Sequence, residues 1–354
     1  MNDYTEDQLV QTTMADYLRD THGWRSVMAW NSETFGAEGT LGRRSDKDIV
    51  LTRYLSEALV RLNPDLPDDA YKSALREITD IFGSQSLIRI NQDKYHLIRD
   101  GVRVKYRENG AQKTHRLRVF DYDDPDNNDF LCVREMWIRG YAHRRRADII
   151  GFVNGLPLMF CELKRPDKDL RRAYNENLSD YKDTVPHLFH FNALVILGNG
   201  GEAKMGSITA DYEHFADWLK LDERDRRDDM LPMEALLKIV CDKRRFLDLF
   251  ENFILFADTA SGPAKILAKN HQYLGVNRAV EAVEKRESLN GKLGVFWHTQ
   301  GSGKSFSMAL FTQKVHRKLG GDYTFVVLTD RTDLDNQIYK TFASVGLANN
   351  DKDP

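Results

Sequence analysis

Ala147–Pro166 reads A-D-I-I-G-F-V-N-G-L-P-L-M-F-C-E-L-K-R-P, two apolar runs that meet at Asn154-Gly155. That dipeptide between two apolar runs is a strong hairpin signal. Three charges interrupt the runs: Asp148 in the first, Glu162 and Lys164 in the second. A charge in an otherwise apolar strand is unfavourable unless it is paired or bound to a cation. Glu162 and Lys164 are two residues apart and therefore project from one face of their strand. Two carboxylates can hold a hard divalent cation through oxygen, and a lysine beside them can orient or polarise an attacking water. That equipment suits phosphodiester cleavage. The same residues also suit a buried carboxylate–lysine ion pair in a structural hairpin, and spacing alone does not separate the two readings.

The register of the hairpin is constrained by this chemistry. If both carboxylates touch one cation, Asp148 and Glu162 share a face. A two-residue loop at Asn154-Gly155 pairs Val153 with Leu156 and Asp148 with Cys161, which turns Glu162 to the other face. A three-residue loop, Val153-Asn154-Gly155, pairs Asp148 with Phe160 and sets Glu162 diagonally beside Asp148. The three-residue loop is therefore expected, and a bulge between the two carboxylates gives the same parity.

A second motif lies at His298–Ser305, H-T-Q-G-S-G-K-S. It follows a short apolar run, Leu293–Trp297, expected as a strand, and precedes a helical run, Phe306–Leu319. Strand, glycine-rich loop, Lys-Ser and helix are in the order of a P-loop. Gly301 and Gly303 let the backbone approach phosphates, Lys304 reaches the β- and γ-phosphates, and Ser305 ligates Mg2+. The pattern's usual first glycine is replaced by His298.

D-I-I-G-F-V-N-G-L-P-L-M-F-C-E-L-K-R-P resembles the PD-(D/E)xK nuclease motif, in the form carried by the restriction (R) subunit of Type I restriction-modification enzymes. The nucleotide loop is a second feature of the same family, so the resemblance covers most of the chain. It implies an α/β fold: a mixed-sheet nuclease domain over residues 1–245, then the start of a parallel-sheet RecA-like motor domain of the superfamily 2 helicase type over 246–354. The implied activity is Mg2+-dependent cleavage of double-stranded DNA. Asp148, Glu162 and the Leu163 carbonyl would hold the metal, and Lys164 would position or activate water. The family's Gln-x-x-x-Tyr pair would fall on Asn177 and Tyr181, with Asn177 one methylene shorter than glutamine. Glu6 would match a further metal-binding glutamate on the first helix, unless Gln11 takes that place and removes the carboxylate. In the motor, Gln272 matches a glutamine that reads adenine, and Thr299, Gly301, Gly303, Lys304 and Ser305 would hold ATP. Asp330-Arg331-x-x-Leu334-x-x-Gln337 resembles helicase motif Ia. No acidic Walker B pair follows, so this chain alone is expected not to hydrolyse ATP. The implied partners are DNA and the methyltransferase (M) and specificity (S) subunits. The rival is a catalytically silent DNA-binding or assembly module with a decayed nuclease fold.

Composition fits this outline. At 354 residues two domains are expected. The net charge of −3 means that any nucleic-acid contact comes from local basic patches. Cys132, Cys161 and Cys241 have no metal-binding spacing, which points to reduced thiols and a cytoplasmic setting. No apolar run reaches the roughly 18 residues of a membrane span. Helices are expected over Tyr4–Arg19, Asp48–Asn63, Asp68–Ser84, Asp169–Lys182 and Met233–Phe256, and strands over Trp24–Asn31, Phe130–Arg139, Phe191–Leu197 and Tyr323–Thr329. Val102–Tyr106 and Arg116–Tyr122 are expected to pair as a hairpin. Asp121–Asp129 reads as a solvated acidic loop, and Arg144-Arg145-Arg146 as a basic cluster available to a DNA backbone.

Overall fold

The computed structural model of the protein describes residues 10–81, 83–108, 110–222, 230–260 and 262–348. The chain divides into two compact units, Met1–Trp218 with Asp229–Leu247, and Leu219–Asp228 with Asp248–Pro354. The division thus falls at Leu247/Asp248, and the charged segment Leu219–Asp228 goes with the second unit. Glu6, with the first turn of the expected N-terminal helix, lies outside the described residues.

In the first unit, α1 (Thr12–His22) leads to β1 (Arg25–Met28). Then come α2 (Thr52–Leu62), α3 (Asp68–Thr79), α4 (Leu87–Asp100), β2 (Val102–Glu108) and β3 (Ala111–Leu117). The centre of the unit is built by β4 (Phe130–Arg139), β5 (Arg144–Val153) and β6 (Leu156–Leu163). After these come α5 (Leu170–Arg172), a π-helical segment (Ala173–Leu178) and α6 (Ser179–Thr184), then β7 (Leu194–Gly198), β8 (Ala203–Gly206) and α7 (Pro232–Val240). α8 (Lys243–Asn252) crosses the division between the units. Six strands form one mixed sheet in the order β1-β4-β5-β6-β7-β8, with β1–β4 and β6–β7 parallel and the other pairs antiparallel. Every residue of β6 is buried, which is why its sequence runs apolar without alternation. Trp24 is sealed into this core: its ring packs on Phe130 and Phe246, and its indole N–H donates to the Cys241 carbonyl at 2.9 Å. All three cysteines are buried free thiols.

Several expected elements differ. The hairpin pairs Val102–Glu108 with Ala111–Leu117, so its second strand ends where Arg116–Tyr122 was expected to begin. The helix expected over Met233–Phe256 is broken into α7 and α8 at Cys241-Asp242. α4 is an additional helix whose buried face carries Asn91 and Lys94 as well as Tyr95 and Ile98. Asn91 donates to the carbonyls of Phe189 and Asn192 at 2.8 and 2.9 Å. Lys94 donates to those of Glu77 and Asp80. A search for apolar periodicity passes over such a face. The acidic loop is solvated at Asp123, Asp124 and Asp126, but Asp121 is buried and accepts hydrogen bonds from the N–H groups of Asp123 and Asp124 and from the Asn127 amide.

His190, just before β7, is buried, and burial together with the nearby His187 and Lys94 pushes its pKa down to about 4. An unfolded histidine takes up its proton near pH 6.5. The folded chain resists protonation until about pH 4, so the unfolded state binds more protons between these values. The stabilisation is therefore complete above about pH 6.5 and lost as pH falls to about 4, by about 3 kcal/mol in all. Chemical denaturation at pH 7 and pH 4.5 should show a smaller acid loss in His190→Gln than in the native chain. Identical losses would show that His190 is not the group responsible.

The second unit contains β9 (Ile254–Thr259) and β10 (Gly262–Leu267), an antiparallel pair, followed by α9 (Asn270–Glu284), α10 (Lys304–Lys318) and α11 (Thr332–Ser344). The parallel strands expected at Leu293–Trp297 and Tyr323–Thr329 are not formed among the described residues, and Val295, Trp297, Val326 and Leu328 are exposed. A strand exists only through backbone pairing with a neighbour. The two segments do not pair with each other, and no other described residue pairs with them. Within the described residues, this corrects the expected parallel-sheet architecture of residues 246–354.

Candidate metal centre and nucleotide loop

β5 and β6 turn at Asn154-Gly155, both in left-handed backbone with φ of 49° and 77°. Val153 pairs with Leu156, so the loop has two residues rather than the expected three. Parity is restored further on. Phe152 pairs with Pro157 and Gly151 with Met159, leaving Leu158 as one extra residue in β6. The Leu158 carbonyl is taken up by the Ala193 N–H at 2.7 Å. Past the bulge, Ile149 pairs with Cys161, and the next step of that register sets Asp148 directly opposite Glu162. The two carboxylates share a face through the bulge, not through the turn.

Around Asp148 the donors are specific. Its Oδ1 accepts from the Gln11 amide at 3.1 Å and its Oδ2 from the Leu163 backbone N–H at 2.8 Å. Leu163 thus meets Asp148 through its N–H. Gln11 is buried at the residue preceding α1, and its Oε1 has no hydrogen-bond partner among the described residues. Lys164 Nζ lies 2.9 Å from Glu162 Oε1, and Glu162 is buried.

Tyr181, on α6, donates its hydroxyl proton to the Arg146 carbonyl on β5 and packs edge-on against Phe160. Burial raises its pKa, and the charges of Glu162, Asp148 and Glu135 raise it further. Asn177 lies one turn earlier in the π-helical segment, half-buried, with no hydrogen bond among the described residues. The structure therefore brings Tyr181 to the carboxylates, and it shows no hydrogen bond from Asn177 to Lys164. π-Helical turns in α-helices concentrate at functional sites.

Glu135 is a further buried carboxylate near this site, one the sequence did not single out. It stands on β4 between the pairs Arg134–Ile149 and Met136–Ala147, hence across from Asp148. It is buried, ion-paired to Arg146 at 2.5 Å, and has φ of 55°. Left-handed backbone at a non-glycine residue costs roughly 1–2 kcal/mol and is held only where the surroundings impose it. The rule that singles out Asp148, a charge interrupting an apolar strand, applies equally to Phe130–Arg139. The basic cluster proves to be matched internally. Arg144 pairs with Asp46 and lies over Trp137, Arg145 pairs with Asp180, and Arg146 pairs with Glu135 and lies over Trp30.

In the second unit, Gly301 and Gly303 adopt left-handed φ of 77° and 82°, and α10 begins at Lys304. Lys304 Nζ donates to the carbonyls of His298 and Thr299 at 2.9 and 3.1 Å, so its ammonium group folds back over the loop. Ser305 follows as the second residue of the helix. Gln272, on α9, is buried beside the loop. Its Oε1 accepts from the Lys269 N–H at 2.9 Å, and its Nε2 donates to the Gly303 carbonyl at 3.0 Å and to Ser307 Oγ at 3.3 Å. Both ends of the amide are thus engaged with protein, and a Cβ at Gly303 would meet Nε2 at 2.9 Å.

Among the described residues no helix is long and apolar enough to cross a membrane. Residues 3–214 match the family described as Type I restriction enzyme R protein N terminus, and residues 271–353 match the SWI2/SNF2 ATPase family. The chain is 39% identical over 320 residues to the Type I restriction enzyme HindI endonuclease subunit of Haemophilus influenzae, which covers 87% of this chain and 30% of that one. It is 27% identical over 259 residues to the Type I restriction enzyme SauMSSORF170P endonuclease subunit of Staphylococcus aureus, covering 72% and 25% respectively. The chain thus spans less than a third of the length of these curated relatives. The first of the two family matches covers more than half of the chain, and the protein belongs to the Type I restriction enzyme R protein N-terminus family.

Proposed function

We propose that the first unit is a Mg2+-dependent endonuclease domain that cuts double-stranded DNA, and that the second begins an ATP-driven DNA translocase of a Type I restriction complex with M and S subunits. The observation that carries this reading is the β5–β6 register, whose next step past Ile149–Cys161 opposes Asp148 and Glu162, with Lys164 Nζ 2.9 Å from Glu162 Oε1. Among the described residues no three His, Cys, Asp or Glu side chains gather around one point. Two carboxylates suit Mg2+, which keeps several waters and binds through one or two carboxylates and substrate phosphates. The buried Gln11 Oε1 is a further oxygen beside Asp148, which supports Gln11 as a first-helix partner of the site; Glu6 lies outside the described residues. A bound divalent cation would supply charge stabilisation at the scissile phosphate and a more acidic water. Lys164 would orient that water, Gln11 and the Leu163 N–H hold Asp148 in place, and Tyr181 braces the first carboxylate strand through the Arg146 carbonyl.

The nucleotide loop supports ATP binding by Lys304 and Ser305. Lys304 must leave the carbonyls of His298 and Thr299 to meet phosphates. The test of the nuclease reading is a crystal soaked in Mn2+, in which an anomalous peak is expected about 2.0–2.4 Å from oxygens of both Asp148 and Glu162. DNA cleavage by the assembled enzyme should follow the same Mn2+ titration. A peak elsewhere, or none at concentrations that support cleavage, overturns the assignment.

A further inference from the structure

β2 and β3 form a two-stranded ribbon of their own, outside the six-stranded sheet. Its register puts Arg103 opposite Arg116, Lys105 opposite Thr114, and Arg107 opposite Gln112, and all six residues are exposed. The other face carries Val102, Val104 and Leu117, buried, at one end, and half-buried Tyr106 with exposed Lys113 and His115 toward the other. One end of that face is therefore anchored in the core, and the opposite face is cationic and polar from end to end. Arg103, Lys105, Arg107 and Arg116 form no ion pair among the described residues, in contrast to the internally matched Arg144, Arg145 and Arg146. Beside the ribbon, Lys72 and Arg76 of α3 join Lys105 and Arg107 in lining a groove of about 480 Å³, with Asp69 the one carboxylate of that lining.

We infer that the β2–β3 ribbon is a second DNA-binding element, gripping the duplex through its phosphates apart from the carboxylate centre. Unmatched like charges on a rigid ribbon are unfavourable unless a polyanion covers them. In a chain of net charge −3, such a patch is a local basic field of the kind a nucleic-acid contact needs. A two-stranded ribbon is of a size to lie in or across the major groove of B-form DNA. Residues alternating on one face stand about 6.7 Å apart, comparable to successive phosphates along one strand. Thr114 and Gln112 complete the cationic face, and Tyr106 is the aromatic residue lining the groove beside it.

The inference rests on the nuclease reading for its substrate, yet it is tested without metal and so without cleavage. Binding of the 354-residue chain to a mixed-sequence duplex of about 30 base pairs is followed by fluorescence anisotropy in EDTA over a range of salt concentrations. Arg103→Gln, Lys105→Gln and Arg107→Gln combined should lower the steepness of log K against log salt by about 3 and weaken binding more than about tenfold at 0.1 M salt. Arg103→Lys with Arg107→Lys should keep the native slope, because phosphate neutralisation needs only the charge. Arg171→Gln with Arg172→Gln, exposed residues paired elsewhere, should also leave it unchanged. A triple variant with native slope and affinity overturns the inference and leaves the ribbon to a protein partner or to solvent. So does a native chain that fails to bind DNA even at low salt. Loss of the Mn2+ site with ribbon binding intact would sink the nuclease reading alone.

Discussion

Glu162→Gln, in the full-length subunit assembled into its restriction complex, is expected to lose DNA cleavage by more than about 100-fold, the loss that even an outer-shell partner of a metal ligand can bring. The domain itself should be as stable as the native one or slightly more so. Continued one step past Ile149–Cys161, the β5–β6 register sets Asp148 opposite Glu162, where like charges destabilise the pairing. The upward push on the Tyr181 phenol from Glu162 and Asp148, added to that of burial, has the same electrostatic origin. A neutral amide at position 162 relieves this repulsion and keeps the shape of the side chain. Lys164 loses its carboxylate, but its side chain is 17% exposed and retains access to water. If the pair were instead a structural ion pair, removing one partner would destabilise the fold by about 3–5 kcal/mol. Denaturation and cleavage measured on the same variant decide the matter. A loss of several kcal/mol would make Glu162 a structural residue, whatever happens to cleavage.

What could be read from the sequence was set by how local each constraint is. The shared face of Asp148 and Glu162 followed from the chemistry asked of them, and the strands around Asn154-Gly155 followed from their apolar runs. Where the extra residue sits did not follow, because a three-residue loop and a bulge satisfy the same parity. The favoured turn won, and the bulge moved to Leu158. Pro157 was a usable signal, since a proline in a central strand belongs at a bulge or an edge. Asn154 shows why the two-residue turn is fixed: its amide bridges the Val119 carbonyl, Asn128 and the Asp129 N–H in the acidic loop. The exposed carboxylates of that loop were legible as a charge run, whereas buried Asp121 and Asn128 were not, because a charge run says nothing of which member folds inward. α4 was hidden for a related reason, its buried face being built from Asn91 and Lys94. In the second unit the error ran the other way. Leu293–Trp297 and Tyr323–Thr329 have strand composition, but composition supplies no neighbour to pair with.

Gly155→Ala should be the most damaging of the conservative substitutions near the site, and Gly110→Ala is its matched control. Both glycines are in left-handed backbone, with φ of 77° and 79°, so each alanine incurs roughly 1–2 kcal/mol from the backbone alone. Among the described residues a Cβ at Gly110 meets nothing within 4 Å. At Gly155 it would stand 2.5 Å from the Leu51 carbonyl oxygen and 2.8 Å from the Leu55 nitrogen, backbone atoms at the start of α2. These atoms cannot rotate away as a side chain would. The Gly155 carbonyl also accepts from the Leu51 N–H at 2.9 Å, so relieving the clash means breaking that bond and moving the helix off the turn. Overpacking adds about 1–3 kcal/mol and the broken hydrogen bond about 0.5–1.5 kcal/mol. Gly155→Ala is thus expected to lose about 3–5 kcal/mol, against roughly 1–2 for Gly110→Ala, when both are unfolded in denaturant. Because the turn fixes where β6 starts against β5, cleavage should fall with stability in Gly155→Ala, unlike in Glu162→Gln. Equal stability losses at the two glycines would show that α2 yields freely, and the turn would then not be what holds Asp148 opposite Glu162.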